Sequence, residues 1–231
     1  MIKMNVMNRY IKNEKMLSPE ENLSLRKKKV AVVGCGGLGG HIIEQLARLG
    51  IGHITAIDGD VFDVSNLNRQ LLSNVENIGQ QKAIVAKEHI KKVNPEIILE
   101  AIPVFITDNN ADEILKGHDV IVDALDSISA RKIVRRAADR LNTPMVFGAI
   151  AGWYGQVATL FPGDKLFDII YNTEENKGIE QELGNPSFTP ALIASFEVAE
   201  VVKILTNKGN LLRNKMLSIN TLENEYQVIE F

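Results

Sequence analysis

The residues best suited to chemistry are a glycine-rich loop and an aspartate one strand later. The loop, GCGGLG at residues 34–39, stands between an apolar β-branched run and a helical pattern. Glycines at this spacing let phosphate oxygens approach the backbone amides and the positive end of the helix. Asp58 ends the next strand, where a carboxylate can accept hydrogen bonds from ribose hydroxyls. These features predict a nucleotide site, without distinguishing ATP from a nicotinamide dinucleotide. The predicted binding glycines are Gly34, Gly36, Gly37 and Gly39.

The polar segment that follows adds groups suited to a triphosphate. Residues 58–70 read DGDVFDVSNLNRQ. A triphosphate is stabilised by a guanidinium fork and an ammonium group, which Arg69 and, on the next helix, Lys82 could supply. Asn66 and Gln70 could donate hydrogen bonds. On spacing alone, a solvated polar loop is an equal alternative.

A further carboxylate follows a later core strand. Asp126 stands just beyond the apolar run at residues 119–124, at the sheet edge where ligands bind in such folds. We expect Asp126 to be a magnesium ligand. Asp123, inside the strand, is expected to lie behind the site.

The cysteine count excludes other chemistry. Cys35 is the only cysteine among 231 residues, so an internal disulfide and a cysteine-based zinc site are excluded. The four histidines are scattered without the close spacing of zinc ligands. We therefore expect no zinc.

Charge and hydropathy also limit the possible partners. The net charge of −3 gives no reason to expect nucleic acid. The N-terminal residues contain no apolar run typical of a signal peptide, and no stretch approaches the roughly 18 apolar residues of a membrane span. We expect a cytoplasmic protein without membrane contact.

Alternating strand and helix patterns must position these groups. They predict an α/β fold, a Rossmann-like, doubly wound, mostly parallel sheet with C-terminal antiparallel strands. The expected strands are 29–33, 53–58, 97–102, 119–124 and 144–149, and the expected helices are 38–49, 79–93, 109–116 and 129–141.

Beyond residue 150 the pattern changes. We expect a strand at 155–161, a helix at 189–206 capped by Ser187 or Thr189, and a hairpin of strands 215–220 and 225–230. The whole chain, 1–231, is expected to be one domain. Its expected parts are an N-terminal arm (1–25), a nucleotide-binding core (26–162), a crossover loop (163–187) and a C-terminal helix and hairpin (188–231).

Taken together, these segments resemble the ThiF/MoeB/HesA family of adenylyltransferases, relatives of the ubiquitin-activating enzymes. The resemblance covers residues 9–162 and continues more loosely through 189–206. The string SNLNRQ after a glycine loop is its most specific part. The matching pieces are Arg9-Tyr10, GCGGLG, DGD with SNLNRQ, IGQQK (78–82), Asn94-Pro95, Asp123-x-x-Asp126 and Gly155-Gln156-Val157.

The resemblance implies ATP- and magnesium-dependent adenylation of the C-terminal glycine carboxylate of a small ubiquitin-like sulfur carrier protein ending in Gly-Gly, with release of pyrophosphate. It implies that Arg69, Lys82 and Asp126 are catalytic and that Asp126 holds magnesium. It further implies a homodimer and a separate sulfur donor protein. The implied nucleotide-binding residues are the four loop glycines, Asp58, Asp60, Asn66, Arg69, Gln70, Lys82 and Lys12.

Two features depart from the family pattern. Relatives commonly place an arginine, which reaches the partner subunit's triphosphate, where this chain has Lys12; lysine keeps the charge but loses the bidentate fork. Many relatives also carry zinc-binding cysteines or a cysteine in the crossover loop, and this chain has neither. We expect Cys35 to be inert and the chemistry to be adenylation alone.

Three other functions stay open at this point. Relatives that act as ATP-dependent dehydratases on threonylcarbamoyl-adenosine in tRNA share the fold, although an acidic chain argues against an RNA substrate. The others are a non-catalytic nucleotide-binding partner module and a nicotinamide-dependent oxidoreductase.

Trp153, Tyr154 and Gln156 either line a channel for the carrier's tail or pack as an ordinary sheet edge.

Overall fold

The computed structural model describes residues 9–172 and 180–231, which build one eight-stranded sheet with helices on both faces. The strands are β1 Lys29–Val33, β2 His53–Ile57, β3 Ile98–Ile102, β4 Val120–Asp123, β5 Met145–Ala151, β6 Tyr154–Leu160, β7 Lys215–Asn220 and β8 Glu225–Glu230. The helices are α1 Pro19–Leu25, α2 Gly37–Leu49, α3 Lys82–Val93, α4 Ala111–Leu115, α5 Ile128–Arg140, α6 Leu166–Ile170, α7 Glu180–Leu183 and α8 Phe188–Thr206.

The sheet order is β3-β2-β1-β4-β5-β6-β7-β8. Strands β1 to β5 pair in parallel, and β6 to β8 pair antiparallel. The predicted fold class is therefore confirmed. From β1 the chain first extends the sheet on one side, through β2 and β3, and then continues on the other side with β4. The strand order therefore reverses between β1 and β4, which is where ligands bind in open α/β sheets.

Alternating side chains of the parallel strands supply two hydrophobic cores. Val30 and Val32 on β1 face the core beneath α2, α3 and α8, whereas Ala31 and Val33 face the core beneath α4, α5 and α6. Strands buried on both faces read as continuous apolar runs, which is why the sequence pattern identified them.

The pairing register positions the site. Val33 pairs with Ile57 on one side and with Asp123 on the other. The residues that follow these three therefore leave the sheet at the same level. Gly34, Asp58 and Ala124 meet at one edge for this reason.

The crossover segment is more ordered than predicted. Residues 163–187 were expected to be a loop, but they include α6 and α7. Leu166 and Phe167 of α6 are buried in the second core. The segment has no extended pattern of apolar residues at helical spacing, so the sequence did not predict α6, which depends on tertiary packing. Residues 173–179 lie outside the described residues.

The start of α8 also differs in detail from the prediction. Ser187 occupies the N-cap position, but its side chain makes no capping hydrogen bond. Thr189 lies inside the helix, is fully buried and donates to the carbonyl oxygen of Gly152 at 2.6 Å. Its hydroxyl ties α8 to the β5–β6 turn, so neither residue caps the helix through its side chain.

Helix α8 buries two acidic side chains against the sheet, Glu197 and Glu200. Glu197 is fully buried, and neither of its carboxylate oxygens has a hydrogen-bond partner among the described residues. It lies against Gly148 of β5, where a Cβ atom would come within 2.4 Å of the Glu197 carboxyl carbon. Burial, and then the negative charge of Asp123, raise the pKa of Glu197 well above 4.5, although Arg131 opposes the shift.

We predict that Glu197→Gln stabilises the protein increasingly as pH rises above about 4.5. Below that pH the carboxyl is protonated in both states, so wild type and variant differ little. At higher pH the unfolded state releases the proton while the folded state retains it, so wild-type stability falls until the raised pKa is reached. Urea unfolding of both proteins from pH 4.5 to 8 measures the difference; a pH-independent difference would contradict the prediction.

Candidate active site

A cavity of about 390 Å³ opens at the carboxyl ends of the parallel strands. Its wall, among the described residues, contains most of the predicted site. The predicted residues on the wall are Gly34, Gly36, Gly37, Asp58, Asp60, Arg69, Gln70, Lys82 and Asp126. Gly39, Asn66 and Lys12 lie off this wall.

The glycine loop is shaped by two close backbone contacts. Gly34 has φ +99°, and a Cβ there would lie 2.6 Å from the carbonyl oxygen of Ala124. A Cβ on Gly39 would lie 1.8 Å from the carbonyl oxygen of Gly34. Gly39 therefore lets α2 pack against the loop, while Gly36 and Gly37 face the cavity. The cavity ends at the N-terminus of α2, whose amides and dipole favour an anion.

Asp58 is held in place by the backbone. One carboxylate oxygen accepts from the Cys35 amide at 2.7 Å and the other from the Asp60 amide at 2.8 Å. Each carboxylate oxygen can accept a second hydrogen bond. Asp58 thus presents a fixed acceptor pair of the kind that two ribose hydroxyls require.

Lys82 supplies a buried cation at the start of α3. Its side chain is 8% exposed, and its ammonium lies 2.7 Å from a carboxylate oxygen of Asp60. Burial raises the pKa of Asp60, but the hydrogen bond and charge of Lys82, with the Val61 amide, outweigh it and lower the pKa. The pair keeps an ammonium group at the cavity without an uncompensated buried charge.

The SNLNRQ segment presents its end to the cavity and uses its start for structure. Arg69 and Gln70 line the wall, and the Oε1 atom of Gln70 is buried without a hydrogen-bond partner among the described residues. Asn66 is buried instead in a capping interaction, because its Oδ1 accepts from the Asp63 amide at 3.1 Å.

Asp126 and Asp123 occupy different environments, as the sequence suggested. Asp126 is exposed and lines the cavity just beyond β4. Asp123 is fully buried and accepts from Arg131 Nη1 at 3.1 Å. Arg131 also donates to the carbonyl oxygens of Gly148 and Leu125. The buried pair fixes the β4 end from which Asp126 projects.

The donor set is compatible with magnesium only if the substrate contributes ligands. No group of three or more His, Cys, Asp or Glu side chains among the described residues could hold a metal. Magnesium, however, is commonly bound through one or two carboxylates together with phosphates and waters. Asp126, on the same cavity wall as the glycine loop, fits that pattern.

Lys12 is not part of this cavity wall in the chain's own fold. It is exposed in a short 3-10 helix, Ile11–Asn13. The preceding residues anchor this segment beside the end of α3: Arg9 donates to the Val93 carbonyl at 2.7 Å, and Asn94 donates to the Tyr10 hydroxyl at 2.8 Å. A role for Lys12 across a dimer stays a prediction.

Sequence reasoning missed several residues of the wall. Phe105, Ile150 and Tyr171 supply apolar surface, and Arg131 and Asn185 supply polar groups. They come from loops, a strand end and helix α5, without a recognisable spacing. Trp153 and Tyr154, in contrast, are exposed on the β5–β6 turn and, like Gln156, lie off the wall; Trp153 packs on Phe188 with ring centroids 4.9 Å apart.

Cys35 has the environment of an inert core residue. Its side chain is fully buried in the first hydrophobic core. Burial, and then the negative charge of Asp58, raise the pKa of the thiol well above 9.0. Since the thiolate is the reactive form, the prediction that Cys35 packs in the core is confirmed, and its environment disfavours a nucleophilic role.

An open α/β sheet with a glycine loop at its carboxyl edge is typical of nucleotide-binding proteins, and comparison with known proteins identifies the family. Residues 8–231 match the ThiF family, and the chain belongs to that family. It is 34% identical over 220 residues to the sulfur carrier protein adenylyltransferase of Thermus thermophilus, covering 91% of this chain and 81% of that protein.

Two solved structures share the fold. Escherichia coli MccB with MccA-N7isoASN superposes with a TM-score of 0.83 at 24% identity, over 99% of this chain and 72% of that chain. The E. coli tRNA N6-threonylcarbamoyladenosine dehydratase TcdA, in complex with ATP, superposes with a TM-score of 0.76 at 22% identity, over 90% of this chain and 97% of that chain. At these identities the likeness establishes the fold alone.

No helix in the described part of the chain is long and apolar enough to cross a membrane.

We predict that a maleimide reagent labels Cys35 only when the protein unfolds. The thiol is buried and its pKa is raised, so both access and thiolate formation are suppressed in the folded state. Mass spectrometry after labelling in buffer and in denaturant gives the measurement, and Cys35→Ala serves as the unlabelled control. Rapid labelling of the folded protein would refute this assignment.

Proposed function

We propose that this protein uses ATP to adenylate the C-terminal glycine carboxylate of a small ubiquitin-like sulfur carrier protein, releasing pyrophosphate. The observation that carries the proposal is the convergence of the glycine loop, Asp58, Arg69, Lys82 and Asp126 on one cavity. The similarity to a sulfur carrier protein adenylyltransferase over most of the chain supports the substrate class.

Each cavity residue has a defined part in this reaction. Asp58 accepts the ribose hydroxyls, and the loop glycines with the α2 N-terminus bind phosphate oxygens. Arg69 and Lys82 neutralise charge as the glycine carboxylate attacks the α-phosphorus and pyrophosphate leaves. The reaction needs charge neutralisation and in-line positioning but no protein nucleophile, so a buried, inert Cys35 is compatible with it.

Asp126 is the residue that would hold magnesium. Bound magnesium would supply charge neutralisation at the phosphate oxygens. Lys82 is initially paired with Asp60, and a triphosphate offers its ammonium a stronger anionic partner. Asp60 thus keeps the ammonium in position until ATP binds.

We also propose a homodimer in the cytoplasm, in which Lys12 reaches the partner subunit's triphosphate and a separate protein supplies sulfur to the adenylate. The anchoring of the N-terminal segment beside α3 leaves Lys12 exposed and off its own cavity wall. From this exposed position, Lys12 could bring its charge to the site of a second subunit.

The dehydratase reaction on tRNA is the second candidate, because TcdA has the same fold and was solved with ATP. A tRNA substrate is favoured by a basic surface, whereas this chain has a net charge of −3. The two functions share the adenylation step and differ in the carboxylate that is activated.

We predict carrier-dependent ATP–pyrophosphate exchange that Asp126→Asn lowers at least about 100-fold, the scale typical of losing an electrostatic catalytic group. Thermal unfolding should change little, because Asp126 is exposed. Asp108→Asn is the matched control, since Asp108 is an exposed surface carboxylate paired with Arg136. Full activity of Asp126→Asn would contradict the assignment. Exchange with a modified tRNA, but with no Gly-Gly carrier, would favour the dehydratase.

We predict that Lys12→Ala and Asp126→Ala, each inactive alone, restore activity when mixed. If Lys12 acts across a dimer, a mixed dimer contains one site with both residues intact. Random reassortment gives about one intact site in four. Exchange activity after co-expression measures it, and each variant expressed alone is the inactive control. No recovery in a demonstrated mixed dimer would contradict action across the interface.

A further inference from the structure

Asn185 stands at the far side of the cavity from the ribose-binding aspartate. Asp58 follows β2, near one end of the parallel sheet, whereas the backbone next to Asn185 is tied to the turn after β5: the Gly152 amide donates to the Gly184 carbonyl at 2.7 Å. Both Asn185 and Asp58 line the same cavity. Two strands, β1 and β4, therefore lie between the strand that precedes Asp58 and the strand that precedes this turn.

The side chain of Asn185 has an unused acceptor. Its Oδ1 atom is buried and has no hydrogen-bond partner among the described residues. A buried acceptor without a donor is unfavourable, so this atom is suited to a donor brought by a ligand. Phosphate and carboxylate oxygens are acceptors and cannot satisfy it.

The donor available at that side of the cavity is a peptide amide. The proposed substrate reaches the α-phosphate through its C-terminal carboxylate, so its last residues must enter extended, with their backbone N–H groups unpaired. A glycine tail has no side chains to offer, and recognition of it depends on main-chain hydrogen bonds and a narrow path.

Asn68 holds this segment against the triphosphate side of the site. Its Nδ2 donates to the Asn185 carbonyl at 3.1 Å, and its Oδ1 accepts from Arg69 Nη1 at 2.8 Å. Arg69 Nη1 also donates to the Ser65 carbonyl at 2.9 Å. One amide group thus bridges the phosphate-facing guanidinium and the segment that carries Asn185. An aspartate in place of Asn68 could accept from Arg69 but could not donate to the carbonyl oxygen of Asn185.

We propose that Asn185 binds the carrier's tail by accepting a backbone N–H near the terminal glycine, and that Asn68 is the positioning residue that aligns Asn185 with Arg69. This inference rests on the proposed adenylation function and extends it to substrate specificity. Binding of the tail and of the triphosphate would then be coupled through one side chain.

The test is ATP–pyrophosphate exchange measured as a function of carrier and of ATP concentration. Asn185→Ala should raise the carrier KM about five- to tenfold and leave the ATP KM within about twofold. Asn68→Ala should also raise the carrier KM more than the ATP KM. Asn210→Ala is the matched control, because Asn210 is an exposed asparagine beyond the C-terminal end of α8, a helix roughly 28 Å long, whereas Asn185 precedes its start. Equal carrier KM values for wild type and Asn185→Ala would overturn the proposal.

A modified carrier tests the hydrogen bond itself with the unaltered enzyme. The two amides that precede the terminal glycine carboxylate are replaced, one at a time, by esters that lack the N–H. One ester should raise the wild-type carrier KM and leave that of Asn185→Ala unchanged. Equal effects on both enzymes would overturn the proposal. If wild type shows no exchange with any unmodified carrier, the proposed function itself fails, and the two failures are therefore distinguishable.

Discussion

The close packing of the glycine loop is the constraint on which the site depends. The loop carbonyl of Gly34 lies where a Cβ on Gly39 would clash at 1.8 Å, and Gly34 itself lies against the Ala124 carbonyl. These contacts bring the start of α2 onto the carboxyl ends of β1 and β4. Because the parallel register sets Ile57 and Asp123 level with Val33, Asp58 and Asp126 reach the same cavity. A side chain at either glycine would separate groups that must act together.

Around that loop, two pairs of opposite charges are already formed before substrate binds. Lys82 pairs with Asp60, and Arg131 pairs with Asp123 beneath the cavity. Arg69 is held in position because its Nη1 donates to the Ser65 carbonyl and to Asn68 Oδ1. Pre-positioned charges avoid the reorganisation that would otherwise accompany binding of a triphosphate. The chemistry that this arrangement favours is displacement at a phosphorus atom by a carboxylate rather than covalent catalysis by the protein.

Much of this could be predicted from the sequence, because the informative signals are local. Apolar β-branched runs identified the parallel strands, and the hairpin of β7 and β8 was predicted at its observed bounds. The sequence singled out Gly36, Gly37, Asp58, Arg69, Lys82 and Asp126, and the structure brings them to one cavity. The side chain of Asn66, by contrast, makes a capping hydrogen bond with the Asp63 amide, and Gly39 allows α2 to pack closely against the loop. Asn185, Arg131 and Phe105 were missed, since their positions depend on tertiary contacts of loops and a helix that no periodicity encodes. The order within the crossover segment was missed for the same reason.

The most direct test of the account is the intact mass of a Gly-Gly carrier after incubation with the protein, ATP and magnesium. We expect a population of carrier heavier by one adenylyl group, formed with one pyrophosphate released per adenylate and lost on addition of a thiol or amine nucleophile. Cys35→Ala should form the same product, because the site requires no protein nucleophile. ATP turnover without an adenylated carrier, or activation of a tRNA-bound carboxylate alone, would contradict it.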